Sequence, residues 1–198
     1  MNEKSYEFTQ NWFQWGEQVW PQLIPYMAGR KGCLEIGSFE GRATVWMAEH
    51  ILEGQSYITC IDTWQGGEEH ADLDMGSVEK RFDHNMNVLK STYPNLYIDK
   101  MKFKSTKALA HLLDRRISTY DFIYVDGSHV ARDVLTDACM AWPLLNKGGL
   151  MVFDDYLWGN PANPLHNPKM AIDAFVTMFG EQIQVMHVGY QFVVRKTV

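Results

Sequence analysis

The chain has 198 residues, 46% hydrophobic and 21% charged, with a formal net charge of −6. That is length for one domain with a sizeable core, and the acidic balance, with no Lys/Arg run longer than two residues, argues against a nucleic-acid footprint, which needs a basic face. No window reaches the roughly 18 apolar residues of a membrane span, and the start MNEKSYEFTQ lacks the apolar stretch of a signal peptide.

Residues 7–24 place Phe8, Trp12, Trp15 and Val19 at spacings of three and four, which predicts an amphipathic helix stopped by Pro21 and Pro25. Its aromatic residues suit core packing first and a homodimer contact second. A turn over Gly29–Gly32 leads into a buried strand, CLEIG (33–37), and a helix from Ser38 to His50 with Gly41 in its first turn. SYITCIDTW (56–64) is a second strand, followed by a polar, glycine-rich loop over 65–77 and a helix from about Val78 to Thr92. A third strand covers 96–105 and a helix 106–116. Next come a buried strand ending in VDGSH, a helix from about His129 to Trp142, and the strand-like run GGLMVFDDY (148–156). After a loop rich in Trp, Asn and Pro (156–168), a helix covers 169–179. IQVMHV and QFVVRK then form a hairpin around Gly189-Tyr190.

Alternation of this kind predicts an α/β fold, Rossmann-like and doubly wound. Its seven-stranded sheet would be mostly parallel, with helices on both faces and a C-terminal antiparallel hairpin. The chain reads as a single domain over 1–198, with a helical extension over 1–28 and the sheet core over 30–198. Cys33, Cys60 and Cys139 are odd in number, widely spaced and outside any zinc-site pattern, so they read as reduced thiols of a cytoplasmic protein.

In such sheets ligands sit outside the carboxyl ends of the parallel strands. Asp126 and His129 fall at one such end, and Asp154 and Asp155 at another. Three carboxylates on one rim suggest a hard-cation site of the Mg²⁺ or Ca²⁺ type, although Asp is also an ordinary helix cap and turn former. The first strand–helix junction carries Glu35, Gly37 and Gly41 but lacks the third glycine of the dinucleotide fingerprint. Glu40 beside the helix N-terminus would repel a pyrophosphate. A phosphate-free adenosine ligand suits this loop better. Asp62 can accept ribose hydroxyls, and Trp64 can either stack on adenine or lid the core.

The pattern Glu35-x-Gly37-x-x-x-Gly41, Asp62, Ser105, Asp126 and the closing hairpin resembles the class I S-adenosylmethionine-dependent methyltransferases over residues 30–198. DTWQGGEEH, VDGSH and GGLMVFDDY are similar to the small-molecule O-methyltransferase branch that includes macrocin O-methyltransferase-like and cephalosporin-hydroxylase-like proteins. The resemblance implies Glu35, Gly37 and Ser38 along the methionine part of the cofactor, Asp62 on the ribose, and Trp64 and Ser105 beside adenine. It implies Asp126, Asp154 and Asp155 as metal ligands, the metal being Mg²⁺. That branch is similar to the metal-dependent catechol and caffeoyl-CoA O-methyltransferases. In the catechol-type enzymes a basic lysine stands three residues after the first metal ligand, and here that position is His129, a residue suited to proton abstraction near neutral pH. The expected reaction is metal-assisted O-methylation of a hydroxylated small molecule, a sugar, phenol or natural product, with Trp158 and His166 shaping its pocket. N-methylation, a nicotinamide-dependent oxidoreductase and a non-catalytic or hydroxylase-like relative are the alternatives.

Overall fold

The computed structural model describes residues 5–27, 30–67, 70–115 and 119–198. Gly29 of the first predicted turn, Glu68 and Glu69 of the polar loop, and Arg116 at the end of a predicted helix lie outside the described residues. Seven strands form one sheet: β1 (Gly32–Ile36), β2 (Ser56–Asp62), β3 (Leu96–Lys102), β4 (Tyr120–Val125), β5 (Leu145–Phe153), β6 (Ile183–Val188) and β7 (Phe192–Lys196). Their order is β3-β2-β1-β4-β5-β7-β6. The first five run parallel, and β7 enters between β5 and β6, antiparallel to both. The Rossmann-like sheet with a terminal hairpin is therefore present as expected.

Side chains alternate between the two faces along each strand, as a period of two dictates. Cys33, Cys60, Phe122, Tyr124 and Val152 enter one core. Leu34, Ile36, Ile61, Ile123, Val125 and Met151 enter the other. The first core is closed by α1 (Gln14–Val19), α2 (Arg42–His50) and α3 (Met75–Thr92). The second is closed by α4 (Ser105–Arg115), α5 (Ala131–Ala141) and α6 (Pro168–Met178).

The N-terminal segment departs from the single helix expected over 7–24. Only α1 is α-helical, and two 3₁₀ turns follow at Trp20–Gln22 and Ile24–Tyr26. Pro21 and Pro25 sit in those turns and have no N–H to continue an α-helical ladder. Upstream, the amides of Glu7 and Thr9 donate instead to Asn85 and Glu40 at 2.8 and 2.6 Å. The segment is nonetheless built into the core: Trp20 is fully buried, edge-on to Phe122 and Tyr124, and its indole N–H donates to Gln191 at 2.8 Å.

Other boundaries shift by a few residues. The third strand ends at Lys102, β5 starts at Leu145, and α3 starts at Met75, where the Asp74 side chain accepts the Gly76 amide. Helix α5 begins at Ala131, which leaves His129 in the loop after β4.

Candidate active site

The sheet changes direction between β1 and β4, and the carboxyl ends of the strands are tied together there. Gly37 donates its amide to Ile61, Asp126 to Ile36, and Asp154 to Val125, at 2.8 to 3.0 Å. Gly37 has φ +91°, and a Cβ there would lie 1.9 Å from the Asp126 carbonyl oxygen. Only glycine fits this crossing. Gly41, at φ +80°, is the left-handed residue that opens α2.

Three acids surround this glycine loop. Glu35 is buried on β1 and accepts the hydroxyl of Thr44. Burial pushes its carboxyl up to about 8, against the opposing pull of that hydroxyl. Asp62 accepts the Phe39 amide on one oxygen and the Trp64 amide on the other, at 2.9 and 2.7 Å. Each oxygen keeps a further lone pair for a ligand. Glu40 is also buried, but it is bound by the amide and hydroxyl of Thr9 and by Arg81, all at 2.6 Å. The expected repulsion of a pyrophosphate by Glu40 therefore does not hold, because Arg81 offsets its charge.

Trp64 is 4% exposed. Its ring packs on Phe82 at 4.7 Å with Lys100 over it at 4.5 Å, and its N–H donates to the Phe39 carbonyl at 2.9 Å. Of the two roles open to it, these contacts show the one in which it lids the core. Ser105 is the first residue of α4. Its hydroxyl opposes the burial that raises the Asp137 carboxyl on α5 to about 6.

The second rim lies at the ends of β4 and β5. Asp126 opens into solvent yet is walled by protein. That enclosure, and after it the charges of Asp154 and Asp155, hold its carboxyl well above the usual range. Asp154 is buried, accepts the Tyr124 hydroxyl and the Asp155 amide, and is pushed up to about 6 by burial and then by Asp155. Asp155 has φ +58°, unusual for a non-glycine residue. Its two oxygens meet His129 Nε2 at 2.7 Å and the Tyr190 hydroxyl at 3.0 Å. His129 in turn stacks on Trp158 at 4.2 Å.

Among the described residues, no group of three or more His, Cys, Asp or Glu side chains is arranged to hold a metal ion. Of the three carboxylates expected to hold a metal, Asp126, Asp154 and Asp155, Asp154 accepts the Tyr124 hydroxyl, and Asp155 is engaged by His129 on one oxygen and Tyr190 on the other. His166 lies in the 156–168 loop, where its amide donates to Asn163 and its carbonyl accepts from Asn160. The sequence marks neither Tyr124 nor Tyr190 as a site residue. Tyr124 carries a weak signal, a polar tip two residues before Asp126 on a buried strand. For Tyr190, 35 residues from Asp155, the sequence has no local signal.

The fold is a doubly wound α/β sheet with two acidic rims at the carboxyl ends of its parallel strands. Residues 34–156 match the family model of a methyltransferase domain, and the chain belongs to that family. A stretch of 73 residues is 33% identical to an uncharacterized protein, R132, of Acanthamoeba polyphaga mimivirus; the match spans 35% of this chain and 33% of that protein. The O-methyltransferase TomG from Streptomyces achromogenes, solved with SAM, superposes with a TM-score of 0.67 at 17% identity, over 93% of this chain and 80% of that one. An O-methyltransferase from Bacillus cereus in complex with SAH gives 0.59 at 16% identity, over 97% and 84%. MycE of the mycinamycin biosynthetic pathway, solved with Mg, SAH and mycinamycin VI, gives 0.59 at 18%, over 96% of this chain and 51% of that one.

Proposed function

We propose that the chain transfers a methyl group from S-adenosylmethionine to a hydroxyl of a small molecule. The observation that carries this reading is the glycine loop after β1: Gly37, which admits no Cβ, crosses Asp126 after β4, and the loop's Phe39 amide lies on Asp62 at the end of β2, which retains acceptor capacity. Membership of the methyltransferase-domain family and structural neighbours solved with SAM or SAH support it. When bound, the cofactor supplies an electrophilic methyl group on a sulfonium centre.

The chain's own residues then have defined tasks. Asp62 holds the ribose hydroxyls. Glu35, Gly37, Ser38 and Gly41 form the cradle for the methionine part, Asp126 lies against that cradle through its contact with Gly37, and Ser105 borders the adenine end. Trp64 acts from within the core by fixing the Phe39 carbonyl. His129 takes the acceptor proton, and Asp155, bound at its Nε2, orients the ring and favours the imidazolium that results. Much of the remaining rate follows from alignment, since holding two reactants in line supplies about 7–11 kcal/mol.

A divalent cation is part of the proposal through donor chemistry. Asp126, Asp154 and Asp155 are hard oxygen donors that repel one another, the kind of set Mg²⁺ takes. They would hold the ion, which would lower the pKa of an acceptor hydroxyl. MycE is crystallised with Mg. The free thiols Cys33, Cys60 and Cys139 support a cytoplasmic setting.

The test is calorimetric titration with S-adenosylhomocysteine, with and without Mg²⁺. Micromolar binding is expected, weakened by about tenfold or more in Asp62→Ala, which loses charge-assisted hydrogen bonds. His129→Ala should keep cofactor affinity while losing transfer. No binding in either condition overturns the reading.

A further inference from the structure

The rim also carries aromatic rings that the mechanism above leaves unused. Trp15 of α1 stacks on Tyr190 of the β6–β7 turn, with 5.3 Å between ring centroids and 17° between planes. Tyr190 donates to Asp155, Asp155 meets His129, and His129 stacks on Trp158. One contact path therefore runs from the N-terminal helix to the loop after β5, with the proposed base in its middle. Trp15 is 36% exposed and Leu157, beside Trp158, is 61% exposed, so apolar surface faces solvent next to the reacting groups.

The same place is acidic. Among the described residues, the ion-pair partner of these strand-end acids is His129, and no lysine or arginine pairs with them. Even a divalent ion on the three carboxylates would leave them net negative, so an acceptor carrying a carboxylate or phosphate would meet like charge with no lysine or arginine beside it. An uncharged ring would meet flat aromatic faces, which bind ring planes well.

We propose that Trp15 and Tyr190, together with Trp158, form an aromatic wall of the acceptor pocket. The acceptor seats an uncharged, hydroxyl-bearing ring against it, a phenol or a pyranose. This rests on the methyltransferase reading of the same site. It makes Trp15, supplied from outside the strand–helix framework, a specificity-determining residue, and it makes the N-terminal segment part of the acceptor pocket.

The experiment uses the full chain saturated with S-adenosylhomocysteine and three probes followed by saturation-transfer NMR titration: catechol, methyl α-D-glucopyranoside and the anionic 3,4-dihydroxybenzoate. At least one neutral ring should bind about tenfold more tightly than the anion. Trp15→Ala should weaken that binding about fivefold, in line with the loss of one aromatic contact, and Trp15→Phe should restore most of it. Trp158→Ala should weaken it as well, and cofactor affinity should hold in all three variants. Which neutral probe binds identifies the ring as phenol or sugar. Equal or tighter binding of the anion, no binding of either neutral ring, or indifference to Trp15→Ala overturns the proposal. Loss of S-adenosylhomocysteine binding by the parent chain is a separate result that removes the methyltransferase reading itself.

Discussion

The two rims of the cleft hold their acids in opposite ways. Around β1 and β2 the acids carry little unrelieved charge: buried Glu35 keeps its proton and accepts Thr44, Asp62 is held by two amides, and Glu40 by Thr9 and Arg81. At the ends of β4 and β5, Asp126, Asp154 and Asp155 are set against one another. Their relief comes from tyrosine hydroxyls and a histidine. The first rim is a preformed cradle, whereas the second stores unfavourable charge, as sites that must bind or move protons do. A cofactor and an acceptor would be served by different physics on the same sheet.

The comparison breaks most severely at the point where the rims touch. Gly37→Ala forces a Cβ into the Asp126 carbonyl from a positive-φ backbone. It should cost about 3 kcal/mol or more of stability, combining overpacking with backbone strain. Urea denaturation of the purified variant checks this, and a midpoint close to the parent's would show that the crossing is not rigid.

A pH-dependent effect, spread over several pH units, sharpens the claim that the first rim is buried. Glu35 keeps its proton in the folded chain up to about pH 8, against a usual 4.5. Between those values the unfolded chain has lost a proton that the folded chain retains, so stability falls as pH rises through that window. The slope from this one group reaches about 1.4 kcal/mol per pH unit. Glu35→Gln should remove that part of the slope, making the variant relatively more stable at pH 7.5 than at pH 5. Melting temperatures across the range decide it: parallel curves for the two proteins would mean that Glu35 ionises normally.

The smallest effect tests the second rim. Tyr190→Phe deletes the hydroxyl on Asp155 without changing the stacking face toward Trp15. The expected loss is about 1 kcal/mol, that of a single partly exposed hydrogen bond, and cofactor affinity should not change. Chemical denaturation gives the first quantity and calorimetry the second. A loss several times larger would mean that Tyr190 braces the whole rim.

Strand–helix alternation and the apolar runs determined the sheet, its parallel half, the hairpin and the faces of the strands, because these follow from periodicity and from connection rules that act locally. They also located the strand-end acids, since a carboxylate after a buried strand has to emerge at the rim. The partners of those acids were decided only in three dimensions. Arg81 neutralises Glu40 across 41 positions, and Tyr190 reaches Asp155 across 35. Trp64 turns into the core instead of toward the cleft because Phe82, Lys100 and the Phe39 carbonyl offer it contacts there. Trp15 meets Tyr190 of the distant β6–β7 turn, and Trp20, five residues on, is anchored in the core. Burial and charge pairing depend on what lies opposite in space, and a linear pattern of residue types does not carry that information.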